Sequence, residues 1–301
     1  MSPRRIAITG ASGLVGRALV PHLRQAGWRV QALVRRPPRQ ADEIHWDPAA
    51  RTVDAAGLEG VEAVVHLAGE NVGDGRWTAA RKAAILGSRV DGTTALAQAL
   101  AGLSAKPRVL VSASAIGYYG DTAETEVDES SPPGAGFLAE VCQAWEAAAG
   151  PAAAAGIRVV HPRIGAVVAA GGGMLGKLVL PFSLGLGGPV GGGQQWLTWI
   201  HIADLVAVIE RLIDDAELGG PINAVTPNPV RQADLATTLG RVMGRPAVLP
   251  LPGAAVRLLF GQMGQEVLLA SGKVRPGRLE TAGFAFQHPH LESALRAELA
   301  R

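Results

Sequence analysis

The sequence predicts an α/β fold: a doubly wound parallel sheet with a small C-terminal α/β lobe. Three observations carry that expectation. Short apolar runs alternate with amphipathic helical stretches over the first half of the chain. A glycine-rich turn, "TGASGLVG", lies between the first strand and the first helix. The 301 residues, 48 % hydrophobic and 18 % charged, are those of a globular chain long enough to bury a large core.

Taken in order, "RIAITG" reads as a strand, "LVGRALVPHLRQAG" as a helix that Gly27 is placed to end, and "WRVQALVR" as the next strand. "VEAVVHLAG" and "PRVLVSAS" are two further buried strands, separated by the helix "AARKAAILGSRVDGTTALAQALAG". "FLAEVCQAWEAAAGPAAAA" is expected as one helix closed by Gly156, and "IRVVHPRIGAVV" as the strand after it. Strands and helices alternating at these lengths imply a parallel sheet covered on both faces. Residues 171–193 hold ten glycines, too many for regular secondary structure, so they are expected to be irregular. Past "PINAVTP", short helices and Pro-rich turns are expected over the C-terminal edge of the sheet. The expected division is a dinucleotide-binding core over 1–170, the rest of that core with Gly-rich substrate-side loops over 171–245, and a small lobe over 246–301.

The net charge of +2 and the absence of long basic runs argue against a nucleic-acid partner. One cysteine excludes an internal disulfide and fits a reducing compartment. No secretory signal precedes the first strand, and the longest apolar region, 164–190, is interrupted by Lys177, Pro181, Pro189 and glycines. A cytoplasmic protein without a membrane partner is expected.

The turn carries the first chemistry. Gly10 permits a tight bend, Gly13 lets the backbone approach a pyrophosphate, and Gly16 lets the helix pack on the sheet. Ser12, Leu14 and Val15 belong to the same turn and helix N-terminus, whose free N–H groups and positive dipole end favour phosphate. This is the arrangement of a Rossmann-type dinucleotide site. NAD recognition calls for an acid at the end of the second strand. "ALVRRPPR" instead places Arg35 and Arg36 there, with Asp42 the nearest acid downstream. A guanidinium pairs with a 2′-phosphate, so NADP(H) is the expected cofactor; the plainer alternative is two solvated arginines. No Cys/His spacing points to a metal.

With these motifs and "HLAGENV", "GSRVDGT", "SASAIGYYG", "WEAAA", "GLGGPVGGGQQWLTWIHIADL" and "KVRPGRLETAGFAF", the sequence resembles the extended short-chain dehydrogenase/reductase superfamily. More narrowly it is similar, over nearly its whole length, to the "epimerase family protein" group, whose members are sometimes labelled cell-division inhibitors. The resemblance implies that Leu67, Ala68 and Gly69 line the adenosine side of the cofactor. It implies that Arg89 replaces an Asn near the nicotinamide end, where a cation could hold a cofactor phosphate or an anionic substrate. Val167 flanks the nicotinamide, and His201 and Asp204 lie in a motif that helps close the substrate side. Related folds often dimerise through the helices flanking the active site, so a homodimer is compatible with the resemblance.

Ser114 aligns with the superfamily's catalytic Ser, whose hydroxyl is expected to donate to a substrate carbonyl. The superfamily's Tyr-x-x-x-Lys pair is missing: Leu138 and Cys142 stand in its place, with Glu146 four residues on. Cys142 is expected to be a packing residue. Tyr118 and Tyr119, the two tyrosines of the chain, follow Ser114 in one loop, and Tyr118 is the candidate relocated acid; aromatic packing explains it equally well. Glu70, Arg76 and Lys82 are further titratable candidates. The expected function is an NADP-dependent oxidoreductase acting on a small carbonyl or alcohol. A non-catalytic NADP(H)-binding sensor or partner-binding protein, and a sugar-nucleotide epimerase or dehydratase, are the alternatives.

Overall fold

A computed structural model describes residues 4–300. Its strands are β1 (Arg5–Thr9), β2 (Arg29–Val34), β3 (Glu43–Asp47), β4 (Thr52–Val53), β5 (Ala63–His66), β6 (Val109–Ser112), β7 (Ser114–Ala115), β8 (Arg158–Ile164), β9 (Ala166–Val168), β10 (Trp196–Leu197), β11 (Trp199–His201), β12 (Gly220–Ala224) and β13 (Val230–Arg231). The helices are α1 (Leu14–Gln25), α2 (Ala55–Leu58), α3 (Ala79–Ala101), α4 (Phe137–Ala147), α5 (Gly150–Ala154), α6 (Gly173–Ser183), α7 (Ile202–Asp214), α8 (Gln232–Met243), α9 (Gly253–Phe260), α10 (Gly277–Thr281) and α11 (Leu291–Leu299). A 3-10 turn (Ile116–Tyr119) and a π-helical turn (Gly264–Leu269) complete them.

The main sheet runs β12-β8-β6-β5-β1-β2-β3-β4, with β7 also beside β8. All pairs are parallel except β3–β4. Strands β5 and β6 are buried at every position, as a sheet covered on both faces requires. On one face Leu19 and Leu23 of α1 and Leu205, Ile209 and Leu212 of α7 pack on β1, β5 and β6. On the other, Leu96 and Leu100 of α3 and Ala152 of α5 do so. The chain leaves β1 toward β2 and β3, then returns on the opposite side through β5, β6 and β8. That reversal opens a crevice at the C-terminal ends of β1 and β5, where open α/β sheets bind ligands.

Two local expectations are corrected, and one hairpin was not foreseen. The glycine-rich stretch is not irregular throughout: α6 spans Gly173–Ser183, because Leu175 and Phe182 fall on one face and bury against Val168, Trp199 and Leu235. Within that helix Gly176 is the only glycine after Gly173, so the helical period prevails. The single helix expected from Phe137 divides into α4 and α5, where Gly150 and Pro151 begin a new turn. The hairpin β3–β4 had no strong signal, being a short segment ending at the sheet edge.

The C-terminal region is attached by carboxylates that accept backbone N–H groups across the boundary. Glu266 accepts from Phe137 and Leu138 at 3.2 and 3.0 Å, and Asp204 from Gln287 and His288 at 2.7 and 3.0 Å. Asp121 accepts from Ser271 at 3.1 Å, Glu129 from Arg278 at 3.3 Å and Glu298 from Ala170 at 2.7 Å. Charge-assisted bonds of this kind contribute about 1.5–3 kcal/mol each. Among the described residues, no helix is long and apolar enough to cross a membrane.

Candidate functional site

The crevice is built by glycines whose missing side chains make room for backbone. Gly10 has φ +69°, and a Cβ on it would lie 2.9 Å from the Leu67 carbonyl carbon. A Cβ on Gly16 would come 2.3 Å from the Gly10 carbonyl oxygen and 2.7 Å from Ala11 Cα. Gly13 N–H donates to Gly10 O at 2.9 Å, and no side chain caps the N-terminus of α1. Ser12 is exposed at the turn, while Leu14 packs toward Gly172 and Gly173 of the glycine-rich loop. Of the expected cofactor residues, Val15, Leu67 and Val167 pack with Ala11 against one core cluster, and Ala68 packs against the other. An uncapped helix end over a glycine turn is an anion site.

Beneath it lies a buried chain of hydrogen bonds that the sequence reading missed. Thr9 Oγ1 accepts from Leu67 N and Ala68 N at 3.1 and 3.2 Å. With both lone pairs used, its proton goes to His66 Nδ1 at 2.7 Å, which leaves His66 Nε2–H to donate to Thr93 Oγ1 at 3.0 Å. The imidazole must therefore be neutral. Burial, assisted by the Arg89 charge, lowers its pKa to about 4. Since the folded value lies below the unfolded one, about 6.5, this stability is complete above pH 6.5 and is lost as pH falls toward 4. The loss is expected to reach about 3 kcal/mol. Urea unfolding at pH 7 and pH 4.5 measures it; the same acid slope in His66→Gln would exclude His66 as its source.

Arg35 and Arg36 are separated by their surroundings. Arg36 is bound by Glu43 through both terminal nitrogens, one at 2.9 Å, and Arg36 together with the Arg39 N–H holds that carboxyl at about 2. Arg35 is exposed, with no ion pair among the described residues. Asp42, the acid expected to be nearest, pairs with Arg24 at 3.1 Å. Arg89 lies on α3 with its guanidinium against Gly69, where a Cβ would sit 3.2 Å from Cζ, and 4.8 Å from the centre of the Trp145 ring. It donates to the Glu70 and Ile85 carbonyls at 3.0 and 3.2 Å, and burial lowers its pKa. Glu70 itself pairs with Arg81, Arg76 reaches the Leu258 carbonyl, and Lys82 lies over Phe137. These three titratable candidates thus serve the loop after β5 and its contacts.

Ser114, at the start of β7, is buried and donates to Glu146 Oε1 at 2.7 Å. Glu146 is in turn clamped by Arg163 of β8, from Nε to Oε1 and from Nη2 to Oε2, both at 2.8 Å. Burial alone would lower the Arg163 pKa; the bonds and charge of Glu146 outweigh it and raise the value. Arg163 Nη1 donates to Tyr119 OH at 2.9 Å, and Tyr119 donates to Asn223 Oδ1 at 2.8 Å. Tyr118 lays its ring over Arg163, 3.4 Å from Cζ. Sequence reading missed Arg163 and Asn223, each a buried polar residue in a strand of the main sheet.

Leu138 and Cys142 face this group from α4. A Cβ on Gly117 would lie 3.2 Å from Leu138 Cβ and 3.8 Å from Cys142 Sγ. The thiol is buried, and desolvation followed by the Glu146 charge pushes its pKa up to about 11, so it is a packing residue and not a thiolate. Gly117, Leu138, Gly136 and Glu266 help line a cleft of about 280 Å³ between the 3-10 turn, α4 and the C-terminal region. His201 caps α7 by accepting from Ala203 N at 3.2 Å, and its Nε2 lies 3.2 Å from Glu298 Oε1, so it joins α11 to the core. No group of three or more potential metal ligands occurs among the described residues.

The model of the NAD dependent epimerase/dehydratase family matches residues 6–224, which span the crevice and the Ser114 cluster. The chain belongs to this family. Within the epimerase/dehydratase family it is 42 % identical to the epimerase family protein Mb2239 of Mycobacterium bovis, over 96 % of each chain. A solved structure of human epimerase family protein SDR39U1 (isoform 2) with NADPH is 36 % identical, with a TM-score of 0.90 and 99 % of each chain covered. A nucleoside-diphosphate sugar epimerase from Corynebacterium glutamicum is 38 % identical, with a TM-score of 0.82; 99 % of this chain aligns with 58 % of that one. Residues 251–298 match a domain of unknown function, DUF1731, which supplies the Glu266 wall of the cleft. Leu138 and Cys142, which the resemblance sets at the Tyr and Lys positions, lie on α4 against the turn at Gly117.

Proposed function

We propose that this chain is an NADP(H)-dependent oxidoreductase acting on a small carbonyl/alcohol pair. The observation that carries this reading is the crevice itself, with an uncapped α1 N-terminus on a turn too tight for any side chain at position 16. The NADPH in the human SDR39U1 structure supports the same cofactor. Backbone N–H groups of Leu14, Val15 and Gly16 would hold the pyrophosphate, and Leu67, Ala68 and Gly69 the adenosine side. Arg35 would take the 2′-phosphate, Arg36 being already bound by Glu43. Arg89 and Val167 would border the nicotinamide end. The bound nicotinamide supplies or accepts a hydride. The 280 Å³ cleft admits a small substrate, and Ser114, three residues before its Gly117 wall, and Tyr118, one residue after it, are the candidate hydroxyls for the reacting oxygen.

NADPH is expected to bind much more tightly than NADH, and Arg35→Ala to weaken NADPH about ten- to a hundredfold while hardly changing NADH, as loss of one charge-assisted contact predicts. Isothermal titration with both cofactors measures this, and equal affinities in the unmutated protein would exclude the assignment. Hydride transfer from NADPH across aldehydes, ketones and quinones tests the activity. The second reading, a non-catalytic NADP(H) sensor, is favoured by Leu138 and Cys142, which transfer no proton; tight NADPH binding without turnover on the whole panel would establish it. A sugar-nucleotide epimerase is disfavoured on the same ground, since that chemistry uses the missing acid–base couple.

A further inference from the structure

Two segments hold seven of the nine exposed large apolar side chains among the described residues. Leu180, Leu184 and Leu186 stand on α6 and the turn after it, and Val248, Leu249, Leu258 and Leu259 before and on α9. Each of the seven is between 50 and 75 % exposed. The segments run side by side. Leu249 N–H donates to Gly187 O at 3.0 Å, Leu251 N–H to Pro189 O at 2.9 Å and Gly191 N–H to Leu251 O at 2.8 Å. A Cβ on Gly185 would lie 3.8 Å from Pro246 Cγ. Both segments also hold the loop after β5: Lys177 Nζ donates to Gly73 O at 2.6 Å, and Arg76 Nη1 to Leu258 O at 3.2 Å. Helix α6 already buries Leu175 and Phe182, and α9 buries Val256, so the exposed leucines are what the two helices leave unpacked. Contiguous apolar surface of this kind marks an interaction site.

The charge of the same segments identifies the partner. Residues 171–189 and 244–264 include Lys177, Arg245 and Arg257 and no acid. Lys177 is paired with Asp74, but Arg245 and Arg257 are exposed and have no ion pair among the described residues. We infer that this face rests on an anionic lipid bilayer, with Val248 and the leucines in the headgroup–acyl boundary and Arg245 and Arg257 at the lipid phosphates. Apolar side chains flanked by unpaired cations are what that boundary takes. No spanning helix is needed, and among the described residues there is none. A second copy of the chain fits less well, because two-fold pairing would turn these cations toward one another with no acid on the face to answer them. A protein groove also fits less well. The side chains project from a helix, a turn, a loop and the last turn of another helix, and a fluid acyl layer accepts projections from separate elements.

Flotation of the full chain with two kinds of vesicle tests this: phosphatidylcholine alone, and phosphatidylcholine mixed with phosphatidylglycerol. The protein is expected to bind the anionic vesicles about tenfold or more tightly than the neutral ones, and to lose that preference at high salt. Leu258→Ser with Leu259→Ser should weaken binding to anionic vesicles by about tenfold or more, and so should Leu180→Ser with Leu184→Ser. Arg245→Gln with Arg257→Gln should remove most of the preference for anionic lipid. All six side chains are exposed, so the variants should melt as the parent does; if one leucine pair does not, the other decides. Failure of the parent to float with anionic vesicles, equal binding to both kinds, or leucine variants that bind like the parent would each overturn the inference. So would a parent dimer, seen by sedimentation velocity, that both leucine pairs render monomeric, since the face would then belong to a second copy.

Discussion

Gly16→Ala is expected to abolish useful NADPH affinity, with a loss of more than a hundredfold. The added Cβ would stand 2.3 Å from Gly10 O and 2.7 Å from two Ala11 backbone atoms, so no flexible side chain can yield to it. Either α1 moves away from the sheet or the turn opens. Both displace the N–H groups at the helix start, and each lost bond to a charged phosphate costs about 1.5–3 kcal/mol, so two suffice for the predicted effect. Overpacking adds about 1–3 kcal/mol of destabilisation. Fluorescence titration with NADPH and thermal melting separate the two losses. A variant that melts early but binds normally would mean that the α1 N-terminus does not hold the cofactor.

Arg163→Ala should be the most damaging change in the Ser114 cluster. Its side chain is 3 % exposed and that of Glu146 14 %, so the pair is shielded from water. Removing one member leaves a buried carboxylate facing a void, a change that typically costs about 3–5 kcal/mol. Tyr119 would lose a donor and Tyr118 the cation beneath its ring. Replacing both partners with apolar residues, Arg163→Met with Glu146→Leu, should recover much of that stability, because no charge then remains buried. Chemical denaturation of the single and double variants checks the pair. A double variant no more stable than Arg163→Ala would show that packing, not the unpaired charge, dominates.

The crevice was legible in the sequence because its determinants are local. Gly10, Gly13 and Gly16 fall within one turn, between a strand and a helix that are each periodic on their own. The long helix α3 could be read to its ends, since Thr78 caps it by accepting from Arg81 N and Gly102 follows it. The hydrogen bonds around Ser114 could not be read, because they join positions distant in the chain. Glu146 meets Ser114 across 32 positions, and Tyr119 meets Asn223 across 104. Arg36 is a different case, since the contact that holds it spans only seven positions. Its partner Glu43 lies on β3, a strand whose short pattern gave no warning that the acid would turn back toward β2. Alpha-helix α6 was hidden by composition, because glycines surrounding it obscured a short but sufficient apolar stripe.

The carboxylates that accept backbone N–H groups across the C-terminal boundary also impose a timetable on synthesis. The ribosome releases residues in order, so the glycine turn, β5 and α3 emerge long before residues 251–298. Asp121, Glu129 and Asp204 must wait in water for N–H groups at Ser271, Arg278, Gln287 and His288, while the Phe137 and Leu138 N–H groups wait for Glu266. A nascent chain halted near residue 250 therefore contains these elements but lacks the Glu266 wall of the 280 Å³ cleft.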